Sequence, residues 1–228
     1  RPRRDAAGTR DAPGERLAAE LGRSGAPPSP ARAFRELDAL GVLGALVPEI
    51  EQSRGIDQIA YHHLDVLGHV LEVVEHAREI ADDPEPVFRG RAGRVRETLA
   101  APLADELTAR GGLMLSALLH DMAKPATRVE TPEGRIGFPG HDRLGAEMAE
   151  ALMRRLRTSA KLRDFVARGV RHHLPLGFMV HRTPLSLRQI DRYLRLTAPS
   201  EVEIIVLSVA DRLDSLVGLF AVGLAPQS

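Results

Sequence analysis

The sequence predicts an all-α protein, and three observations lead to that class. Apolar residues recur at helical spacing in several segments, most clearly over residues 59–80, where Val66, Val70, Val73 and Ala77 form one stripe. No segment alternates apolar and polar residues for long enough to indicate a lasting strand. Trp is absent and aromatic residues make up only 4% of the chain, so the core must consist mainly of Leu, Val, Ala and Ile, which suits packed helices.

Pro and Gly residues divide the chain into four parts. Residues 1–30, rich in Arg, Ala, Gly and Pro, are expected to be flexible. A short helical segment is predicted over residues 31–57, a helical domain over 58–221 and a tail over 222–228. Inside the domain we expect a loop followed by a helix over residues 84–100, a loop over 131–140, and helices over 59–80, 113–124, 143–157, 161–173, 185–196 and 201–220. The helix over 113–124 is apolar nearly all round, which predicts that it is buried.

Composition excludes several classes of protein and site. The 31 basic and 31 acidic residues give a net charge of zero, so no overall charge marks the chain as a nucleic-acid binder. The absence of Cys excludes disulfides and thiolate metal sites and fits a cytoplasmic location. No apolar run approaches the roughly 20 residues that span a bilayer, so no membrane segment is expected.

A histidine and an aspartate stand side by side at the end of the predicted buried helix. His120 and Asp121 would both be costly to bury unless a partner satisfies them, and a divalent cation does so well. Taken alone, such a dipeptide more often means that the histidine caps its helix and the aspartate makes a surface pair, but here other candidate ligands accompany it. Asp211 also lies within an apolar stretch and needs a partner; Asp214, one turn later, is the competing candidate ligand.

Further histidines limit the ligand set. His62, His69 and His76 are spaced by seven, which puts about 10.5 Å of helical rise between neighbours, so one metal can take at most one of them. Asp65, one turn before His69, could orient that histidine. His141 begins one predicted helix and the pair at 172–173 ends another, positions that also suit ordinary helix-end roles.

The order of His69, His120-Asp121 and Asp211 resembles the HD superfamily of metal-dependent phosphohydrolases. Residues 118–124 are similar to its defining helix, although Met122-Ala123 stands where Ile-Gly is commoner. More narrowly, residues 61–69, 124–128 and 138–147 resemble the HD region of bacterial tRNA nucleotidyltransferases and poly(A) polymerases, and residues 30–37 and 43–49 resemble the helical neck before it. The Gly-Ser loop and paired carboxylates of the nucleotidyltransferase head are absent from this sequence, so the chain alone is not expected to add nucleotides.

The resemblance implies an HD-domain helical bundle with a short N-terminal neck-like segment. It also implies a divalent metal ion, with Mg, Mn, Ni, Fe and Zn all left open. The expected ligands are His69, His120, Asp121 and Asp211, with His141, His172 and His173 as candidates for a second metal. The expected catalytic residues are Asp121, as proton acceptor, and Lys124; Lys124, Arg128, His141 and Arg212 are the expected phosphate-binding residues.

The resemblance to the HD superfamily leads to two functional hypotheses. The first is hydrolysis of a phosphomonoester or a 2′,3′-cyclic nucleotide, with a phosphorylated small molecule or nucleotide as the partner. The alternative is an accessory HD domain that positions RNA or stabilises a missing nucleotidyltransferase head. A metal-free regulatory bundle is a third reading, which requires that His120-Asp121 and Asp211 occur by coincidence.

Overall fold

The computed structural model describes residues 30–58, 64–182 and 184–221, with side chains within 31–58, 64–181 and 184–214. The predicted flexible segment, His62 and the tail therefore lie outside the described residues, apart from Pro30. The helices are α1 (Pro30–Ala39), α2 (Val42–Leu46), α3 (Pro48–Glu51), α4 (Val66–Asp82), α5 (Glu85–Phe88), α6 (Ala92–Ala100), α7 (Ala109–Leu119), α8 (Lys124–Thr127), α9 (His141–Arg155), α10 (Ala160–His172), α11 (Pro175–Met179), α12 (Leu187–Thr197) and α13 (Glu201–Ala221). Short 3-10 turns lie at Arg89–Arg91 and Val180–Arg182. The prediction of an all-α protein is confirmed.

Two small antiparallel hairpins are the only strands in the described part of the chain. Strand β1 (Pro102–Ala104) pairs with β2 (Leu107–Thr108), and β3 (Val129–Glu130) pairs with β4 (Ile136–Gly137). In the second hairpin Val129 faces Gly137 and Glu130 faces Ile136. The predicted loop over 131–140 is therefore partly wrong, because β4 lies within that range and only residues 131–135 connect the two strands.

Side-chain caps fix where the central helices begin. Asp65 accepts a hydrogen bond from the backbone N–H of Gly68 at 2.8 Å, which satisfies one of the open donors at the start of α4. Thr108 caps α7 through Gly111, and Ser159 caps α10 through Leu162. Each cap sets the register of a helix whose later residues reach the candidate site.

Helices α4 and α7 lie at the centre of the bundle. Helix α4 packs against α13 and α7, α7 packs against α10, and α10 packs along α9. The predicted stripe on α4 is buried, and every residue from Leu113 to Leu119 on α7 is buried as well. The regular helix α7 ends at Leu119, before the predicted limit at residue 124, because a turn over residues 120–123 separates it from α8.

A close approach of α10 to α7 depends on Gly169. A Cβ atom at this position would lie 2.6 Å from Oγ of Ser116, well inside van der Waals contact. Glycine therefore lets the two helices meet one turn before His173 and one turn before His120. The approach helps to bring the ends of the two helices together.

The neck-like segment packs into the same core as the bundle. Phe34, Leu43, Val47 and Ile50 are buried in the cluster that also contains the α4 stripe. An ion pair between Arg155 and Glu49, with N–O at 2.7 Å, joins the segment to α9. No helix among the described residues is long and apolar enough to cross a membrane.

Candidate metal centre

Six regions of the chain bring ionisable side chains to one place in the bundle. His69 comes from the second turn of α4, His120 and Asp121 from the end of α7, and Lys124 from the start of α8. His141 is the first residue of α9, His173 follows α10, and Asp211 and Asp214 lie one turn apart on α13. The rings of His69, His120, His173 and His141 follow one another, with centroids 5.3, 5.1 and 5.4 Å apart.

The first group of ligand atoms surrounds Oδ2 of Asp121. This oxygen lies 3.2 Å from Nε2 of His69 and 3.1 Å from Nε2 of His120. Oδ1 of Asp211 lies 3.2 Å from Nε2 of His69 and 3.8 Å from Nε2 of His120. His69, His120 and Asp121 are buried and offer ligand atoms that all lie within 4.8 Å of one another. The four residues expected from the sequence to hold one metal are thus brought together.

The second group surrounds the other oxygen of the same carboxylate. Oδ1 of Asp121 lies 3.2 Å from Nε2 of His141 and 3.9 Å from Nε2 of His173. These three residues are also buried, with ligand atoms within 4.8 Å of one another. Asp121 therefore stands between two candidate subsites, with one carboxylate oxygen directed to each.

All four histidines direct Nε2 towards Asp121, and hydrogen bonds at Nδ1 explain this orientation for three of them. Nδ1 of His120, His141 and His173 lies 2.7–2.8 Å from a backbone carbonyl oxygen, those of Ala117, Phe138 and Val170 respectively. A carbonyl oxygen only accepts hydrogen bonds, so each Nδ1 must carry the proton. In the neutral ring Nε2 then has a free lone pair, which is the form that binds a metal.

Several buried atoms of the centre lack a hydrogen bond. Both carboxylate oxygens of Asp121 and Nε2 of His141 are buried without a hydrogen bond of good geometry, although Lys124 and the histidines lie close enough to form ion pairs with Asp121. Nε2 of His69 and Nε2 of His120 are 3.4 Å apart, and two lone pairs facing each other repel unless a proton or cation lies between them. This donor set, carboxylate oxygens and imidazole nitrogens, suits a divalent ion.

The carboxylates and histidines shift one another's pKa. Burial lowers the pKa of His69, but its close contacts with the carboxylates of Asp121, Asp211 and Asp214 outweigh it and raise that pKa to about 10. Burial raises the pKa of Asp121, but the neighbouring charges of His120 and Lys124 bring it well below its usual range. Burial, and then the charge of His120, lower the pKa of His173 to about 4. The centre thus favours ionised carboxylates and a neutral His173.

Behind His69 lies a carboxylate that orients it. Oδ2 of Asp214 is 2.6 Å from Nδ1 of His69, and both side chains are buried. The sequence alone offers Asp214 as a competing ligand and Asp65 as the residue that orients His69. Asp65 instead caps α4 and accepts from Gly68 and Gly55, so Asp214 takes the orienting position. Asp211 and Asp214 are three residues apart on one helix, so the sequence already indicated that both lie on the same helical face.

Lys124 lies beside the shared carboxylate. Its Nζ is 2.6 Å from Oδ2 of Asp121, donates to Oε1 of Gln58 at 2.5 Å, and sits 5.4 Å from the centroid of the Phe138 ring. Gln58 was not singled out in the sequence because no local pattern connects it with a residue 66 positions later. In the sequence, Gln58 is notable only for its position shortly before residues 61–69, where the resemblance to the HD region begins.

The remaining candidate residues lie around or away from the centre. His172 is half-buried and belongs to neither of the two groups; burial, then the charges of Arg171 and Arg168, lower its pKa. Arg128 is exposed and pairs with Glu130 at 2.9 Å, and Arg212 is exposed on α13. His76 lies 3.3 Å from Glu79 on α4.

Comparisons with known proteins agree with this fold. The sequence model of the HD domain family matches residues 66–216. A CC-adding tRNA nucleotidyltransferase of Thermus thermophilus is 31% identical over 200 residues, which cover 87% of this chain and 39% of that protein. An A-adding tRNA nucleotidyltransferase of Deinococcus radiodurans is 31% identical over 131 residues, covering 57% of this chain and 24% of the relative. A bifunctional uridylyltransferase/uridylyl-removing enzyme of Cereibacter sphaeroides is 30% identical over 159 residues, or 68% of this chain and 15% of that enzyme.

This chain thus spans between about a seventh and two-fifths of the length of these relatives. The match to the Thermus protein is longer than the HD region and so reaches beyond it. The resemblance predicted from the order of histidines and aspartates is confirmed, and the chain belongs to the HD domain family.

Proposed function

We propose that this chain is a divalent-metal-dependent phosphohydrolase, acting on a phosphomonoester or on a 2′,3′-cyclic nucleotide. The observation that carries the proposal is the position of Asp121, a buried carboxylate whose two oxygens face two separate groups of histidines. Such a carboxylate is costly to bury without a cation. The imidazole nitrogens around Asp121 are typical metal ligands, which supports a metal site rather than a structural ion pair.

His69, His120, Asp121 and Asp211 would hold one ion, and Asp121, His141 and His173 would hold a second. Ions bound there would lower the pKa of a water molecule and polarise a phosphoryl oxygen. Residues of this chain would orient the ligands and exclude water from them. The Nδ1 hydrogen bonds fix each imidazole ring, and the burial of His69, His120 and His173 keeps water from competing for the ligand atoms.

Charge supports a phosphate ester as substrate. Among the described residues of the centre, the carboxylates of Asp121, Asp211 and Asp214 outnumber the ammonium of Lys124, so the centre has an excess of negative charge once metal binding displaces the protons of its imidazoles. One divalent ion offsets that excess, and a second leaves the centre positive, which would attract an anionic phosphate. Asp211 keeps 23% of its side chain exposed, so the centre is reachable from solvent on the α13 side.

The test combines metal content with turnover. Metal would be measured by mass spectrometry in the wild type, in Asp121→Ala and in Asp191→Ala, a control whose carboxylate pairs with Arg195 on the surface. Each protein would be assayed with a chromogenic phosphomonoester, a chromogenic phosphodiester and 2′,3′-cyclic nucleotides. We expect metal and hydrolysis in the wild type and the control, and loss of both in Asp121→Ala, with a fall in rate of at least about a hundredfold. Wild-type protein that binds metal but hydrolyses none of these substrates would contradict the proposal.

A second candidate function is an accessory role beside RNA. The observation that favours it is the neck-like segment, which packs into the HD core through Phe34 and Leu43 and lies within a chain similar to tRNA nucleotidyltransferases. On this reading the domain would position RNA or stabilise a nucleotidyltransferase head. Binding of tRNA, measured by gel shift at several salt concentrations, together with bound metal and no hydrolysis, would favour it.

A further inference from the structure

Gln58 contacts the candidate metal centre from outside the residues that match the HD domain family. Its side chain is 8% exposed, and Oε1 accepts a hydrogen bond from Nζ of Lys124 at 2.5 Å. Nε2 lies 3.4 Å from the carbonyl oxygens of Leu64 and Asp65. Because carbonyl oxygens only accept, the amide nitrogen must face them and the amide oxygen must face Lys124. The orientation of Gln58 is therefore set by the backbone.

The backbone around Gln58 is itself attached to the start of α4. Asp65 accepts from the N–H of Gly55 at 2.7 Å, and the N–H of Val66 donates to the carbonyl oxygen of Ile56 at 3.1 Å. These contacts hold the turn before Gln58 at a fixed place relative to His69, which lies one turn along α4. The amide oxygen of Gln58 is thus a fixed acceptor at the edge of the centre.

Besides Gln58, the oxygen that Lys124 contacts among the described residues belongs to Asp121. Its Nζ lies 2.6 Å from Oδ2 of Asp121, and the Phe138 ring is 5.4 Å away on another side. A lysine side chain is long and flexible, and holding it in one conformation costs rotamer entropy. A second, fixed oxygen acceptor offsets that cost and keeps the ammonium against Asp121 instead of in solvent.

We propose that Gln58 is a positioning residue, which holds the ammonium of Lys124 beside Asp121 so that this cation faces a phosphate group bound at the centre. The inference rests on the proposed function, because it requires the centre to take phosphate. The proposal gives a function to a residue that precedes residues 66–216, the part of the chain that matches the HD domain family. Gln58 acts only through Lys124, so its removal should weaken the binding of an anion while leaving the metal ligands in place.

The test measures the binding of inorganic phosphate by calorimetry to protein loaded with manganese(II). The variants are Gln58→Met, Lys124→Met and the double variant, with Gln52→Met as a control on an exposed residue of the same segment. We expect Gln58→Met to retain its manganese and to bind phosphate about tenfold more weakly. We expect the double variant to bind phosphate no more weakly than Lys124→Met, and the control to match the wild type. Should Gln58→Met not fold, Gln58→Asn, which withdraws the amide by one methylene, is measured in its place.

Three results would overturn the inference. They are unchanged phosphate affinity in Gln58→Met, loss of manganese together with phosphate, which would indicate a structural role, and additive losses in the double variant. A wild type that binds manganese but not phosphate would overturn this inference and the proposed hydrolase together. Phosphate binding by the wild type that Gln58→Met leaves unchanged would overturn the inference alone.

Discussion

Oδ2 of Asp214 lies 2.6 Å from Nδ1 of His69, while Nε2 of the same ring lies 3.2 Å from Asp121 and from Asp211. The carboxylate of Asp214 therefore holds the imidazole at Nδ1, while Nε2 faces the carboxylates of Asp121 and Asp211. A carboxylate in that position fixes the ring and makes Nε2 a better electron donor. The relationship joins α4 to α13 at the centre of the bundle.

Replacing Asp214 by Asn should weaken metal binding about 10- to 100-fold, because the ring of His69 loses the carboxylate that orients it. The measurement is competition with a fluorescent chelator at pH 7.5. Asp191→Asn, on the surface, is the matched control and should not change the affinity. Equal affinities for Asp214→Asn and the wild type would show that the contact does not orient a ligand.

Replacing His141 by Ala should reduce the metal content from two ions per chain to one. Nε2 of His141 lies beside Oδ1 of Asp121 and not beside Oδ2, so the group around Oδ2 keeps its ligand atoms. His120→Ala should lower occupancy of the other subsite instead. The measurement is metal content by mass spectrometry after dialysis, with folding checked by circular dichroism. An unchanged content in His141→Ala would place the second ion elsewhere or exclude it.

The metal-free protein should lose stability as the pH rises from 7 towards 9.5. Burial lowers the pKa of His69, but its three carboxylate partners raise it to about 10, above the value near 6.5 of an unfolded chain. A raised folded-state pKa stabilises the fold fully below about pH 6.5, and that contribution is lost as the pH rises through about 10. We expect a fall in Tm of about 5 to 10 °C over this range after treatment with a chelator.

The metal-loaded protein is the control for this pH dependence, because a bound cation would replace the proton on His69. Its Tm should change less between pH 7 and 9.5. The variant His69→Gln, which lacks the titrating ring, should also show a smaller fall when metal-free. A metal-free wild type whose Tm stays constant or rises over this range would contradict the assignment of the shift to His69.

Replacing Phe34 by Ala should lower the free energy of unfolding by about 3 to 5 kcal/mol, because it leaves a cavity where the neck-like segment enters the core. Leu40→Ala, on the same segment but 75% exposed, is the matched control and should change it by less than about 0.5 kcal/mol. Urea unfolding measures both. Similar small effects for the two variants would mean that the segment does not share the stability of the HD core.

The fold class and most of the residues around Asp121 could be predicted from the amino-acid sequence. Apolar periodicity is a local property, so the stripe on α4 and the apolar run of α7 could be predicted without the tertiary structure. His120, Asp121 and Asp211 stood out because polar groups within apolar helices need partners, which is also visible locally. The structure brings these residues together with His69.

Contacts between distant side chains could not be predicted from the sequence, because they depend on how the helices pack. Neighbouring residues on a helix point about 100° apart, and the sequence alone does not say which direction faces the centre, so His173 rather than His172 lies beside Asp121. The contacts of Asp214 with His69 and of Gln58 with Lys124 join positions separated by 145 and 66 residues. Such pairs depend on how α4, α8 and α13 pack, and packing is settled by the fit of whole helices rather than by any local pattern.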